Sequence, residues 1–149
     1  MSQFGKTKLV KKMHFDKSAQ EKLLTGIDKI AEAVGSTLGA SGRNVIIEND
    51  YGDPHVTKDG VTVANNILLQ DPVENIAVSM MKQAAQKTAS IAGDGTTTSI
   101  VLTKAIIDSF YKLKGQDFSF RDIKSGINKF AKDVIKYITD KAIPVDSKM

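Results

Sequence analysis

The chain has 149 residues, 41% of them hydrophobic and 26% charged, which excludes a wholly disordered, collagen-like or disulfide-stapled polypeptide and suffices to bury about two thirds of its unfolded surface. Without cysteine, disulfides, thiolate metal sites and a cysteine nucleophile are excluded, and a reducing, cytoplasmic setting is expected. The net charge of +4 comes from 21 Lys and Arg against 17 Asp and Glu, and it resides in Lys6, Lys8, Lys11 and Lys12, because the 17 bases and 17 acids after residue 12 cancel.

Leu23, Ile27, Ile30, Val34 and Leu38 recur at helical spacing and predict an amphipathic helix over 18–38. Ser18 with Glu21 forms a capping-box pattern at its start, with Asp16 as the alternative cap, and Gly39 to Gly42 stop it. Val45 to Glu48 and His55 to Thr57 flank a turn-rich stretch ending in Asp53-Pro54 and predict a small hairpin. Lys58-Asp59-Gly60 reads as a turn, and Val61 to Leu69 as an apolar segment open to strand or helix.

Asp71-Pro72-Val73-Glu74 is a helix start, with an acceptor at the N-cap, proline at the first helical position and an acid in the first turn. Its predicted stripe runs through Val73, Ala77, Met80, Ala84, Thr88 and Ile91, with both Met80 and Met81 read as core. Gly93-Asp94-Gly95 interrupts, and a further helix is expected from Thr96 to Leu113. Ser119 with Asp122 starts the last, whose apolar positions are Ile123, Ile127, Phe130, Val134 and Ile138 before Pro144. Four substantial helices and one hairpin make the chain mainly α, and helices this amphipathic should pack as a bundle.

The chemistry concentrates in Gly93-Asp94-Gly95-Thr96-Thr97-Thr98, where Asp94 is the only charge between Thr88 and Thr103. A carboxylate in such surroundings needs compensation. One form is a hard cation such as Mg²⁺, held by one carboxylate and substrate phosphates, with glycines, amides and hydroxyls at a helix N-terminus suited to phosphate oxygens. The alternative is a solvated turn in which Asp94 caps the next helix. Leu38-Gly39-Ala40-Ser41-Gly42-Arg43 could present amides to an anion, or Gly39 could simply cap a helix. In Lys58-Asp59-Gly60 an acid could orient water for in-line attack beside a lysine, or the segment could be only a turn. The chain lacks the G-x-x-x-x-G-K-[ST] pattern of P-loop enzymes. The lysine tail has no aromatic interleaving and the rest is neutral, so no nucleic acid partner is expected. No apolar run nears the ~20 residues of a bilayer span, so no membrane is expected either.

Thr37-Leu38-Gly39-Ala40-Ser41-Gly42-Arg43-Asn44-Val45, Thr57-Lys58-Asp59-Gly60-Val61-Thr62-Val63-Ala64 and Gly93-Asp94-Gly95-Thr96-Thr97-Thr98 stand in the order and spacing of a group I chaperonin of the GroEL type. The chain resembles that family from about Ala19 to Lys148. The resemblance implies the first half of an equatorial domain, a helical bundle with a small hairpin that binds ATP in a subunit whose ring encloses and folds non-native proteins. It implies Thr37, Leu38 and Gly39 lining the nucleotide, Asp94 on Mg²⁺, and Gly95, Thr96, Thr97 and Thr98 on phosphate oxygens. Asp59 would position the attacking water as the catalytic residue, with Lys58 and Gly60 beside it. The hairpin at 44–57 resembles a stem-loop that pairs with a neighbouring subunit's terminal strands, and a GroES-like partner belongs to the same picture.

The resemblance divides the chain into a basic segment 1–17, the equatorial part 18–140 and the beginning of an intermediate domain at 141–149. The family has Pro-Lys where this chain has Ala40-Ser41, so weaker nucleotide binding is expected. The family subunit is several times longer, so the equatorial domain is expected to be incomplete on its C-terminal side. The alternative function is a truncated, non-catalytic module that binds nucleotide weakly or joins subunits through its hairpin.

Overall fold

The computed structural model describes residues 13–48, 52–113 and 118–144. Among these the order is α1 (Asp16–Gly35), β1 (Val45–Ile47), β2 (His55–Thr57), α2 (Gly60–Asn66), α3 (Pro72–Ala92), α4 (Thr96–Leu113) and α5 (Phe120–Lys141). The mainly α architecture with one hairpin is as expected, with five helices rather than four. The added one is α2: the segment open to strand or helix is a short helix, and the turn expected at 58–60 is its start. The chain divides into two compact units, Met1–Ala105 and Ile106–Met149.

In the first unit α1 and α3 run parallel. Lys22 pairs with Asp71, Lys29 Nζ lies 2.6 Å from Glu74 Oε2, and Gly26 lies against the Glu74 backbone. A Cβ on Gly26 would stand 2.3 Å from the Glu74 carbonyl oxygen, so this crossing admits no side chain. α4 returns antiparallel to α1, with Val101 against Gly35 and Lys104 Nζ 2.9 Å from Asp28 Oδ1. The core is Ile30, Ala31 and Val34 of α1, Val63 and Ala64 of α2, Val78, Met81 and Ala85 of α3, and Ile100 of α4. The hairpin is antiparallel with Val45 opposite Thr57 and Ile47 opposite His55. Val45 packs on the core, whereas Ile46 and its partner Val56 are exposed.

Several boundaries differ from the sequence expectation. α1 begins at Asp16, whose φ of 56° is left-handed, and Phe15 precedes it without a side-chain cap, so neither proposed cap operates. The Ser18 hydroxyl instead donates back to the Phe15 carbonyl at 3.4 Å. On α3 the buried stripe is Val73, Ala77, Val78, Met81 and Ala85, while Met80 and Ile91 are exposed. Both stripes have helical spacing, and the parallel contact with α1 selects the face containing Met81. Leu38, the last apolar position assigned to the first helix, lies beyond its end and is exposed.

The second unit contains the end of α4 and α5. α5 opens with a reciprocal capping box: Asp122 N–H donates to Ser119 Oγ, and Ser119 N–H to Asp122 Oδ2, both at 3.2 Å. Its apolar positions have the expected spacing, and none of its residues is buried. Leu113, Phe118, Ile123, Ile127 and Phe130 line an open apolar groove of about 470 Å³. Among the described residues no helix is long and apolar enough to cross a membrane.

Candidate functional site

The turn after α1 supplies the first element. Thr37 N–H donates to Val34 O at 3.1 Å and Leu38 N–H to Gly35 O at 3.0 Å, tightening the helix end. Thr37 Oγ1 also donates to Val34 O, at 2.7 Å. Arg43 N–H returns to Ser36 O at 2.8 Å and closes the loop. Gly39 lies inside it at φ +77°, a conformation glycine adopts without the steric cost borne by other residues. The helix cap is Ser36, so Gly39 belongs to the loop and not to the helix terminus.

The second element is the start of α2, where Asp59 is the N-cap. Its carboxylate accepts from Val61 N–H at 3.3 Å, Thr62 N–H at 2.9 Å and Thr62 Oγ1 at 2.6 Å. The Thr62 hydroxyl and then its amide, with the Val61 amide adding less, hold the Asp59 pKa below the usual carboxylate value against the opposing effect of burial. Asp59 and Lys58 are exposed, while Gly60 is buried.

The third element joins α3 to α4. Gly93 is a left-handed C-cap at φ 77°, its N–H donating to Ala89 O at 2.8 Å. Asp94 is exposed and accepts from Gly95 N–H at 2.6 Å. Gly95 is also left-handed, at φ +89°, and its carbonyl accepts from Ser99 N–H at 2.8 Å, the first turn of α4. Thr96 is buried, Thr97 half-buried and Thr98 exposed. Thr88 Oγ1 donates to Ser99 Oγ at 3.2 Å, bracing the two helices across the turn.

These elements meet at Gly60. A Cβ there would lie 2.0 Å from Thr97 Oγ1 and 3.2 Å from Thr37 Oγ1. The parallel course of α1 and α3 places the loops after both at one end, and α4 and α2 begin there. Asp59 adjoins the meeting point directly, and Asp94 lies three residues before Thr97. The junction thus combines three left-handed glycines, threonine hydroxyls, the N-terminal end of the 18-residue α4 and two exposed carboxylates. Amides at a helix start and hydroxyls suit an oxyanion, and an adjacent carboxylate suits a hard cation bound with it. Among the described residues no three His, Cys, Asp or Glu side chains cluster around a metal position.

Three participants are not legible from sequence motifs. Thr62 fixes Asp59, and its position three residues after the acid is the capping spacing that could have revealed it. Lys82 of α3 binds the far end of α2, and Asn75 binds Leu69 in the segment that follows it. Nothing in their local sequence marks them.

Residues 30–149 match the TCP-1/cpn60 chaperonin family. Among solved structures the chain is similar to the chaperonin gp146 from the bacteriophage EL 2 (Pseudomonas aeruginosa), crystallised in presence of ATP-BeFx in two crystal forms. In one the TM-score is 0.74 at 34% identity, over 87% of this chain and 22% of that chain. In the other it is 0.76 at 34% identity, over 88% and 23% respectively. The chain therefore spans under a quarter of the length of the chaperonin it matches. With the family matched across α2, α3 and α4, where the three glycine-bearing segments meet, the chain belongs to the TCP-1/cpn60 chaperonin family.

Proposed function

We propose that the chain forms the nucleotide-binding, first equatorial part of an ATP-dependent chaperonin subunit, one that works in a cytoplasmic ring enclosing non-native proteins. The convergence of three separate segments on Gly60 carries this reading, and the presence of ATP-BeFx with the similar gp146 supports it. Thr37, Leu38 and Gly39 line the nucleotide, while Gly95, Thr96, Thr97 and Thr98 offer amides and hydroxyls to phosphate oxygens. Asp94 would hold Mg²⁺, which would neutralise phosphate charge when bound. Asp59 orients the attacking water, with Lys58 and Gly60 beside it. Its pKa, held down by Thr62, keeps it an ionised acceptor at neutral pH.

Mg-ATP titration of the chain, followed by calorimetry, tests the site. The expected result is Mg²⁺-dependent binding that Asp94→Ala removes without loss of helical content, because Asp94 is exposed. Equal binding with and without Mg²⁺, or an unchanged Asp94→Ala variant, would refute the assignment. Hydrolysis, client enclosure and any GroES-like partner are properties to be read in the assembled subunit.

A second reading is association with other chaperonin subunits, favoured by the exposed apolar side chains of α5, including Phe130 and Ile138. Sedimentation of the chain decides it: a stable, compact, non-associating monomer contradicts this reading.

A further inference from the structure

α2 has seven residues, about 10 Å of helix at 1.5 Å per residue, and a helix that short does not persist by itself. Its N-terminal end bears Asp59 and Gly60. Its C-terminal end is held by α3: Lys82 Nζ donates to Asn65 O at 3.0 Å and to Ile67 O at 2.8 Å. Seven residues earlier on α3, and so on the same face, Asn75 Oδ1 accepts from Leu69 N–H at 3.2 Å. The last carbonyls of a helix have no partner within it, and a cation is favoured beside them.

Lys82 is half-buried, and burial pulls its ammonium pKa below the ordinary value. An ordinary surface lysine would keep its head in water; this one directs it at two backbone oxygens. The opposite end of the same helix has no room to slide, since Gly60 already touches the Thr97 hydroxyl. Val63 and Ala64 fix the helix laterally in the core, and Lys82 fixes it along its axis.

We infer that Lys82 is a positioning residue for the nucleotide site, gripping the C-terminal end of α2 so that Gly60, with Asp59 beside it in the chain, stands against Thr97 and Thr37. The inference rests on the nucleotide reading for its effect on binding, whereas its effect on α2 stands without that reading.

The test uses the full chain with Lys82→Met, which keeps the apolar stem, and Lys82→Arg, which keeps a charged donor. Amide exchange across Val61–Asn66 and affinity for Mg-ATP are both measured. In Lys82→Met, exchange across α2 rises about tenfold more than in α1 and α3, and Mg-ATP binds about five- to tenfold more weakly, as for the loss of one net hydrogen bond. Lys82→Arg recovers most of both. If Lys82→Met does not fold, Lys82→Gln, which keeps one donor, takes its place in the same comparison.

Unchanged exchange in α2, or exchange that rises equally in α1 and α3, overturns the inference. So does unaltered affinity alongside a loosened α2, or failure of Lys82→Arg to recover either property. A wild-type chain that does not bind Mg-ATP refutes the nucleotide reading instead, and α2 exchange then decides alone whether Lys82 holds the helix.

Discussion

Gly60 and Thr97 occupy each other's space: a single added carbon on Gly60 would fall 2.0 Å from the Thr97 hydroxyl oxygen. Gly60→Ala therefore forces Thr97 to rotate or α2 to withdraw. Overpacking of this kind destabilises by about 1–3 kcal/mol, and Mg-ATP affinity should fall with it. Removing the obstructing oxygen in Gly60→Ala/Thr97→Ala should recover part of the stability, a coupling that urea denaturation of both single variants and the double variant will measure. Strict additivity would show that the contact is not tight.

Asp59 has two tasks that substitution can separate. As N-cap it stabilises α2, so Asp59→Ala should lower stability by about 1 kcal/mol, whereas Asp59→Asn, a good N-cap itself, should lower it far less. Both should abolish hydrolysis in an assembled subunit, because neither side chain is an ionised acceptor. Thermal denaturation and phosphate release measured side by side check the split. Hydrolysis retained in Asp59→Asn would remove Asp59 from the catalytic role.

Gly26 tests the α1–α3 crossing. Helix propensity alone would make Gly26→Ala stabilising by about 1 kcal/mol. The Glu74 carbonyl oxygen, 2.3 Å from the new carbon, belongs to backbone and cannot rotate away. The variant should instead be destabilised by about 2 kcal/mol or more. The urea midpoint supplies the sign, and a rise would contradict the close approach.

Asp71 gives the fold a pH dependence with a definite sense. Its hydrogen bond from Lys22 lowers its pKa from 3.8 to about 2 in the folded chain, with further help from the amides of Val73 and Glu74. A carboxyl group with a depressed folded pKa contributes stability that is complete above its unfolded value and is lost as pH falls through its folded value. The stability advantage of wild type over Asp71→Asn should thus be constant at neutral pH, shrink between about pH 4 and pH 2, and vanish below. Asparagine still caps the helix, so the difference isolates the charge. Denaturation across that range checks it; a gap that widens on acidification would reverse the assignment.

Elements whose signals are local were legible in the sequence. Asp71-Pro72 and Ser119 with Asp122 announce their helices because a cap needs only the residues beside it, and both operate as expected. The choice between Met80 and Met81 was not legible, since both fit a helical period and only the contact with α1 distinguishes them. α2 carries no clear helical periodicity because seven residues make fewer than two helical turns. The three glycine-bearing motifs were visible as strings, but their meeting depends on the parallel course of α1 and α3, which no single segment encodes. Lys82 was invisible for the same reason: its partners are carbonyl oxygens, and these carry no sequence signature.

The parallel pairing of α1 with α3 makes the crossing at Gly26 a fulcrum. Thr37 stands 11 residues beyond Gly26, about 16 Å along the chain at helical rise. The loop at Gly93 stands farther along α3. A few degrees of rocking about the crossing would part or close the two loops by about an ångström, with no helix deformed. A small rotation at the contact with Glu74 would thereby be magnified at the far ends of both helices.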